Sequence, residues 1–445
     1  MAKVTEKASS DIFHRSLTKD YPEATGGRGV YIIKSDGTKV LDGSSGAAVS
    51  CLGHGHPDVI EAIIEQAKDL AFAHTSFFTN NPSEKLASFL IESSEGAFIK
   101  VLFLSSGSEA VESALKLARQ YHLANGNPER VNFISRKYSY HGNTIGALSA
   151  GFNPMRRQAF EPLLSTAFHH VSPCLYTWDA GTNETEGDYV ERLIKEYEDM
   201  FLQLGPETVA AVILEPVTGA TLGAVPAASG YLDRLRQLCD KHGALLIFDE
   251  VMCGMGRVGT LHAWQSLGNS APDLQIIGKG LGAGYQAISA VLVGSKVHQT
   301  IRASQAEKPF VSGHTYQGHA IGCAAALATQ QVILRDNLLD NVQRIGVLLS
   351  EQLKKTPKLK EVRGLGLFLT VEFATEPGAR IAPDVAETCL RNGAAVYLCS
   401  PAVDAIMFAP PFIISEDEIV VLVDIFTKSV TEVLGGKQKK LEGTI

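Results

Sequence analysis

The sequence predicts an α/β fold, with a large domain built on a mostly parallel central sheet flanked by helices and a smaller α+β domain. Three observations lead to this prediction. The chain of 445 residues exceeds the ~250–300 residues at which a single core stops growing. Short apolar runs alternate with longer helical stretches, and polar residues follow several of these runs directly.

Six short apolar runs are predicted to be strands of the large sheet. They lack polar alternation, which is typical of strands covered by helices on both faces. The runs span residues 101–104, 131–134, 209–214, 244–248, 274–277 and 290–293. Because ligands of open α/β sheets bind at the carboxyl ends of the strands, the polar residues that follow these runs are expected to converge on one pocket.

The pattern of elements also predicts how the chain is divided. Residues 1–60 consist of short, turn-rich segments, which are expected to pack on the small domain. Residues 61–320 hold the alternating pattern and form the large domain, and residues 321–445 form the small C-terminal domain. In the last part we predict helices over 322–334 and 338–353, followed by a strand pair within 362–373.

Composition argues against several classes of partner and site. The net charge is −8, and the only dense basic cluster is formed by Lys437, Lys439 and Lys440, so nucleic acid is not expected to bind. The seven cysteines never show C-x-x-C spacing, which argues against a disulfide framework and a zinc site and favours a reducing compartment. The segment MAKVTEKASS lacks an apolar stretch and no window suits a membrane span, so a cytoplasmic location is predicted; removal of a targeting segment stays open.

The segment from Ser106 to Glu109 ends a predicted strand and begins a predicted helix. Free backbone N–H groups at such a helix start suit a phosphate. A plain turn capped by a serine explains the same residues equally well.

Asp249 and Lys279 each end an apolar run. A carboxylate at the end of the run 244–248 is costly unless a cation or strong donor lies opposite, and a protonated pyridine nitrogen is such a partner. Lys279 lies between glycines, which allow close approach of a ligand. Its amine is nucleophilic near neutrality only if its surroundings lower its pKa. The alternatives are an aspartate that caps a turn and a solvated lysine.

These residues belong to a series of segments that resembles the class III aminotransferases, which are fold-type I pyridoxal-phosphate enzymes. The resemblance runs nearly from end to end, and the order and spacing of the segments are highly specific. The segments are LDGSSGAAVSCLGHGHP (41–57), SSGSEAVESALKLAR (105–119), YHG (140–142), ILEPV (213–217), LLIFDEV (245–251), PDLQIIGKGLGAG (272–284), HTYQGHA (314–320) and FAPPFIISEDE (408–418). The amine and ω-amino acid transaminases are the nearest group.

The resemblance implies a cofactor and the two residues that act on it. Pyridoxal 5'-phosphate would form a Schiff base with Lys279, which then serves as the proton shuttle. Asp249 would pair with the pyridine nitrogen. Both roles agree with what the residues themselves suggest.

The resemblance further implies how the cofactor is held. Gly107 and Ser108 would bind the phosphate, Tyr140 would stack on one face of the ring and Val251 would pack against the other. Thr315 would reach the phosphate of the neighbouring subunit. A homodimer with active sites at the subunit interface is therefore expected.

Two departures from the family pattern bear on the substrate. Relatives that act on ornithine-like substrates have an arginine just before the FAPP segment that binds the α-carboxylate; here that position is Met407, and Glu215, the partner of that arginine, is left without it. Methionine cannot replace a bidentate arginine. Where many ω-amino acid transaminases have a tryptophan in the pocket wall, this chain has Ala48. Phe77 and Phe78 are expected to line the pocket with Tyr140, or else to be ordinary core residues.

The sequence therefore predicts a transaminase that uses a primary amine, diamine or ω-amino acid and a 2-oxo acid acceptor, pyruvate or 2-oxoglutarate. A dialkylglycine-type decarboxylase or an aminomutase on the same scaffold is the nearest alternative, and a catalytically silent scaffold protein is a third. The run GMGRVG (254–259) matches the dinucleotide fingerprint of dehydrogenases, but no clear helix follows it and no acidic residue lies about 20 positions further on. His54 and His56 are interpreted as part of a turn, and no metal is expected.

Overall fold

The structure is a computed structural model that describes residues 10–376 and 378–442. Most of the MAKVTEKASS segment lies outside the described residues, as do the side chains of Lys437, Lys439 and Lys440.

In the described part of the chain, three strands and three helices precede the large sheet. They are β1 (Ala24–Arg28), β2 (Tyr31–Lys34), β3 (Lys39–Asp42), α1 (Ser45–Ala48), α2 (Pro57–Asp69) and α3 (Asn81–Ser93). The strands β1, β2 and β3 form an antiparallel sheet. Asn80 begins α3 with a side chain that accepts a hydrogen bond from the backbone N–H of Ser83, which satisfies one of the free donors at the helix start.

The large domain contains a seven-stranded sheet and the helices that cover it. Its elements are β4 (Lys100–Leu104), α4 (Gly107–Ala124), β5 (Asn132–Arg136), α5 (Ile145–Ala150), α6 (Pro154–Arg157), β6 (Phe168–Val171), α7 (Tyr176–Asp179), α8 (Glu186–Leu204), β7 (Val209–Leu214), β8 (Val217–Thr218), β9 (Val225–Pro226), α9 (Tyr231–His242), β10 (Leu245–Asp249), β11 (Leu274–Ile277), β12 (Ser289–Val293) and α10 (Ser295–Ala303). The strand order is β4-β12-β11-β10-β7-β5-β6, and only β12 runs antiparallel to its neighbours. The predicted fold class is confirmed.

All six predicted runs are strands of this sheet, with bounds that differ by two residues at most. The edge strand β6 was not predicted. Its sequence Phe168-His169-His170-Val171 contains two histidines and therefore does not form an apolar run.

The sheet is held between two helical layers because its strands are apolar on both faces. In β10, Leu245 and Ile247 pack with α4, whereas Leu246 and Phe248 pack with α8 and α9. Each fully buried side chain of this kind contributes about 1.5–3 kcal/mol. The carboxyl end of β10, with Asp249, is thereby fixed on a rigid support.

The remaining elements follow the large sheet. They are α11 (Ala320–Arg335), α12 (Leu338–Leu353), β13 (Leu359–Leu365), β14 (Phe368–Phe373), α13 (Ala382–Arg391), β15 (Ala394–Ala395), β16 (Tyr397–Leu398), β17 (Ala405–Phe408) and α14 (Glu416–Glu442). A second sheet has the order β13-β14-β17-β16, and β15 pairs in parallel with β3. The N-terminal strands thus contact the C-terminal elements. The division at residues 60 and 320 stays a prediction.

None of the helices in the described ranges is long and apolar enough to cross a membrane.

Candidate active site

A cavity of about 1010 Å³ lies at the carboxyl ends of β4, β10 and β11. Seven of the eight residues predicted to bind the cofactor line it. They are Gly107, Ser108, Tyr140, Glu215, Asp249, Val251 and Lys279. Residues 172 positions apart in sequence (107 to 279) thus meet in one site, as the positions at the strand ends predict.

Asp249 is held by two hydrogen bonds at the end of β10. Its Oδ2 lies 2.8 Å from Nδ1 of His141, and its Oδ1 accepts a hydrogen bond of 3.1 Å from the backbone N–H of Val251. Asp249 and His141 are both buried. A carboxylate acceptor fixes the proton of the histidine on Nδ1, so the imidazole acts as a donor that orients the carboxylate.

Lys279 follows β11 in an unusual backbone conformation. Its φ of +41° lies in the left-handed region, which costs a residue with a side chain on the order of 1 kcal/mol. The side chain is partly buried and lines the cavity. Burial lowers the pKa of its amine, and the carboxylates of Asp249 and Glu215 oppose this shift. The neutral, nucleophilic form of the amine is therefore favoured relative to a solvated lysine.

The start of α4 forms one wall of the cavity. The side chain of Ser106 accepts a hydrogen bond from the N–H of Glu109, which leaves the N–H groups of Gly107 and Ser108 at the first turn without an intrahelical partner. A Cβ at Gly107 would lie 3.0 Å from Cγ1 of Val251. The backbone is thus accessible here because residue 107 has no side chain, and the helix start suits an anion.

A second loop closes over the same helix start. The Oγ of Ser108 accepts a hydrogen bond of 3.0 Å from the N–H of Asn143. Gly142 has a φ of +136°, and a Cβ there would lie 2.6 Å from this Oγ. The loop with Tyr140 therefore reaches the cavity only because residue 142 is a glycine.

Glu215 is buried and bound by backbone donors. Its carboxylate accepts hydrogen bonds from the N–H of Tyr140 at 3.1 Å and the N–H of Gly219 at 2.9 Å. Burial, and secondarily the nearby Asp249, raise its pKa, whereas His141 opposes the shift. Two backbone N–H groups thus satisfy this carboxylate without an arginine.

The four residues predicted to line the substrate pocket do not line the cavity of the single chain. Phe77 and Phe78 are 77% and 67% exposed, so they are neither pocket nor core residues within one chain. Ala48 is buried, because the kinked backbone of α1 directs Ala47 and Val49 to the cavity instead. Met407 lies in β17 and is fully buried in the core.

Thr315 is exposed and does not line the cavity of its own chain. Its predicted role in the neighbouring subunit stays a prediction.

Several lining residues have no signal in the sequence that would place them here. His141 belongs to the YHG segment, but nothing local indicates a contact with a residue 108 positions away. Arg15 lies in a segment without helix or strand periodicity. Arg156 is adjacent to Arg157, and the sequence does not indicate which of the two lines the cavity. Tyr397 and Ser400 come from the C-terminal elements.

The glycine run GMGRVG is a turn rather than a dinucleotide site. No α-helix follows it before β11. Arg257 within it is buried and donates to the backbone carbonyls of Leu367 at 3.0 Å and Pro410 at 2.6 Å. The run therefore joins the large sheet to the C-terminal elements.

Within the part of the chain that the structure describes, no cluster of three or more metal-ligating side chains occurs. His54 lies in the predicted turn, 3.5 Å from Asp42, and the backbone N–H of His56 donates to the hydroxyl of Tyr285.

The residues of the cavity fit pyridoxal 5'-phosphate. The start of α4, where the N–H groups of Gly107 and Ser108 have no intrahelical partner, suits its phosphate, and the absence of a side chain at Gly107 leaves room beside Val251. Asp249, held by a buried histidine, suits a protonated pyridine nitrogen. Lys279, with its lowered pKa, suits the aldehyde.

Comparison with known proteins agrees with this fit. The sequence model of the family described as aminotransferase class-III matches residues 16–430. An aminotransferase of Schizosaccharomyces pombe is 39% identical over 94% of this chain and 95% of its own length. A diaminobutyrate–2-oxoglutarate transaminase of Halomonas elongata is 35% identical over 89% and 87% of the two chains.

The fold agrees with that of solved transaminases. An amine transaminase from an uncultivated Pseudomonas species, with pyridoxal phosphate bound, superimposes with a TM-score of 0.88. It is 30% identical, and the match covers 97% of this chain and 99% of that chain.

Proposed function

The chain belongs to the class III aminotransferases and is a transaminase that uses pyridoxal 5'-phosphate, and from this premise we propose that its donor is a primary amine, diamine or ω-amino acid and its acceptor a 2-oxo acid, pyruvate or 2-oxoglutarate. The reaction consists of two half-reactions, in which the donor loses its amino group and the acceptor gains it. Ping-pong kinetics follow from this order.

Two residues do the chemical work beside the cofactor. When bound, pyridoxal 5'-phosphate supplies an electron sink for the carbanion that forms at the substrate carbon. Asp249 keeps the pyridine nitrogen protonated, and His141 orients Asp249. Lys279 would hold the cofactor aldehyde and then move the proton at the substrate carbon, because burial lowers the pKa of its amine and favours the neutral form.

The other predicted residues hold the cofactor in place. Gly107 and Ser108 would bind the phosphate, and Tyr140 and Val251 would hold the ring between them. The backbone N–H of Tyr140 donates to Glu215, which fixes the loop that positions its ring.

A homodimer completes the site. Thr315 is exposed on its own chain. A residue that binds the phosphate in a partner subunit must be exposed in this way. Phe77 and Phe78 are large apolar side chains exposed on the surface, which suits an interface. In this dimer they reach the substrate pocket of the partner, whereas Ala48 is buried and Ala47 and Val49 form that part of the cavity wall.

The proposed donor class depends on the apolar, buried side chain of Met407. It is fully buried in the core, so this position offers no cation to an α-carboxylate beside the reacting amine. Glu215 is bound by two backbone N–H groups and needs no arginine. A donor whose reacting amine has no neighbouring carboxylate agrees with both facts.

Two further features support the proposal. The Halomonas elongata relative has diaminobutyrate, which carries an amine distant from its carboxylate, and 2-oxoglutarate in its name, and the Pseudomonas structure is an amine transaminase. All seven cysteines are buried and unpaired, in agreement with a reducing compartment, for which we propose the cytoplasm.

The absorption spectrum of the holoenzyme tests the proposal. A panel of amines, diamines, ω-amino acids and α-amino acids is added first, followed by pyruvate or 2-oxoglutarate. We expect the band of the bound cofactor to be lost with a donor of the proposed class and restored by one of the two acceptors. Loss of the band with α-amino acids alone would contradict the donor class, and release of carbon dioxide, or turnover without an acceptor, would indicate the decarboxylase or the aminomutase.

A further inference from the structure

Two arginine side chains line the cavity without a part in the chemistry described above. Arg156 belongs to the short helix α6, and Arg15 to the segment before β1. The guanidinium of Arg156 lies over the ring of Tyr140, 5.0 Å from its centroid. Arg156 is thus next to the residue proposed to contact the cofactor ring.

The neighbouring Arg157 shows why Arg156 faces the cavity. One nitrogen of Arg157 donates to the backbone carbonyls of Leu148 at 3.0 Å, Ser149 at 3.0 Å and Gly151 at 2.6 Å. These bonds tie α6 to the end of α5. The segment is therefore anchored by one arginine, and the other is left on the cavity side.

The carboxylates of the cavity do not neutralise these arginines. Asp249 is bound by His141 and a backbone N–H, and Glu215 by two backbone N–H groups. Among the described residues, neither Arg15 nor Arg156 forms an ion pair with an acidic side chain. Both guanidinium groups therefore face the cavity without an acidic side-chain partner among the described residues, so the carboxylate of a ligand can pair with them.

The geometry points to a carboxylate-binding subsite formed by Arg156, with Arg15 as a second donor, for the distal carboxylate of an ω-amino acid donor or the carboxylate of the 2-oxo acid acceptor. This inference rests on the proposed function. A planar guanidinium binds a carboxylate through two parallel hydrogen bonds, and its contact with Tyr140 limits the orientations it adopts. Because Met407 provides no cation, the carboxylate of either substrate needs another partner, and these arginines supply it.

Pairs of substrates with and without a carboxylate test the subsite and show whether it binds the donor or the acceptor. KM is measured for 4-aminobutanoate against butylamine and for pyruvate against propanal, using the holoenzyme. In Arg156→Gln we expect KM to rise about 10- to 100-fold for a carboxylate substrate and to stay unchanged for its uncharged counterpart. A rise for 4-aminobutanoate assigns the subsite to the donor, and a rise for pyruvate assigns it to the acceptor.

Further variants separate charge from structure. Arg156→Lys keeps the charge but loses the bidentate geometry, so its KM should lie between those of wild type and Arg156→Gln. Arg15→Gln should have a smaller effect in the same direction. Arg302→Gln removes an exposed arginine outside the cavity and should change no KM. Equal changes for charged and uncharged substrates, or none, would overturn the subsite.

A binding measurement is independent of turnover. Calorimetric titration with glutarate, which has neither an amine nor an oxo group, should show binding to the wild-type holoenzyme that weakens about 10- to 100-fold in Arg156→Gln, while the cofactor band is retained. Equal glutarate affinity in the two proteins, or loss of cofactor from the variant, would overturn the inference. If the wild type accepts none of the proposed donors, the proposed function fails, and glutarate still decides whether the subsite exists.

Discussion

His141 Nδ1 lies 2.8 Å from Asp249 Oδ2, and both side chains are buried at the end of the central strand. This pair, rather than Asp249 alone, faces the cavity. Among the residues that the structure describes, this histidine is the one side-chain donor to the carboxylate, so the direction of the carboxylate depends on it.

His141→Leu should lower turnover by about 10- to 150-fold. A hydrogen bond to a charged group is worth about 1.5–3 kcal/mol, and its loss leaves Asp249 with the N–H of Val251. The cofactor band should remain, but the pH at which it titrates should shift. His141→Asn keeps an N–H donor and should recover part of the turnover, whereas His169→Leu, at the sheet edge, serves as the control. Wild-type turnover in His141→Leu would show that the contact does not position Asp249.

Replacing Asp249 and replacing Lys279 should affect cofactor attachment and turnover differently. Asp249→Ala should keep the covalently bound cofactor but reduce turnover by about 10²–10⁴-fold, because the ring nitrogen loses the group that keeps it protonated. Lys279→Ala should abolish both the band of the lysine-bound cofactor and turnover. The absorbance of the purified proteins and single-turnover rates distinguish the two results; a Lys279→Ala protein with normal turnover would exclude this lysine as the site of attachment.

The pH dependence of cofactor uptake should report the environment of Lys279. Burial lowers the pKa of its amine below the usual 10.5, while Asp249 and Glu215 hold it up. Below pH 10.5 the folded apoprotein therefore has more neutral amine than a solvated lysine, so the uptake rate should level off at a lower pH. Removing a negative charge in Asp249→Asn or Glu215→Gln should move the midpoint lower still. Uptake rates measured by stopped flow across pH check this, and a midpoint at or above 10.5 would contradict it.

The lowered pKa of Lys279 should also make the stability of the apoprotein depend on pH, because the amine has its usual pKa in the unfolded chain. Between the lowered pKa of Lys279 and 10.5, the unfolded chain binds more protons than the folded one. The contribution of this residue to the free energy of unfolding of the apoprotein should therefore rise with pH in that window. In Lys279→Met this contribution should be absent when urea unfolding is compared across pH.

Local patterns in the sequence predict the sheet and the residues at its strand ends, but not the contacts between loops. Buried strands need apolar runs, so β7 and β10 are visible in the sequence, and Asp249 is placed by the strand that it ends. The contact with His141 depends on how two distant loops fold, and no periodicity encodes it. Phe77 and Phe78 were predicted to line the pocket or the core, yet both are exposed in the single chain, and no local pattern indicates what they contact. Arg156 and Arg157 are adjacent and chemically identical, and only the folded loop separates their roles.

Gly142→Ala should weaken cofactor binding and destabilise the protein more than a matched glycine substitution elsewhere. A Cβ at residue 142 would lie 2.6 Å from Oγ of Ser108 and 2.9 Å from Cβ of Ala147, in a backbone with φ of +136°. Gly126 has a φ of +79° but no atom within 4 Å of the built Cβ, so Gly126→Ala tests backbone strain alone. We expect about 1 kcal/mol of destabilisation for Gly126→Ala and about 2–4 kcal/mol for Gly142→Ala. Thermal unfolding of the apoproteins measures this difference, and titration with pyridoxal 5'-phosphate should show weaker binding for Gly142→Ala only. If the two variants lost equal stability and bound the cofactor equally well, the loop with Tyr140 would accommodate the extra Cβ without a loss of free energy. The contact between residue 142 and Ser108 would then not shape the phosphate site.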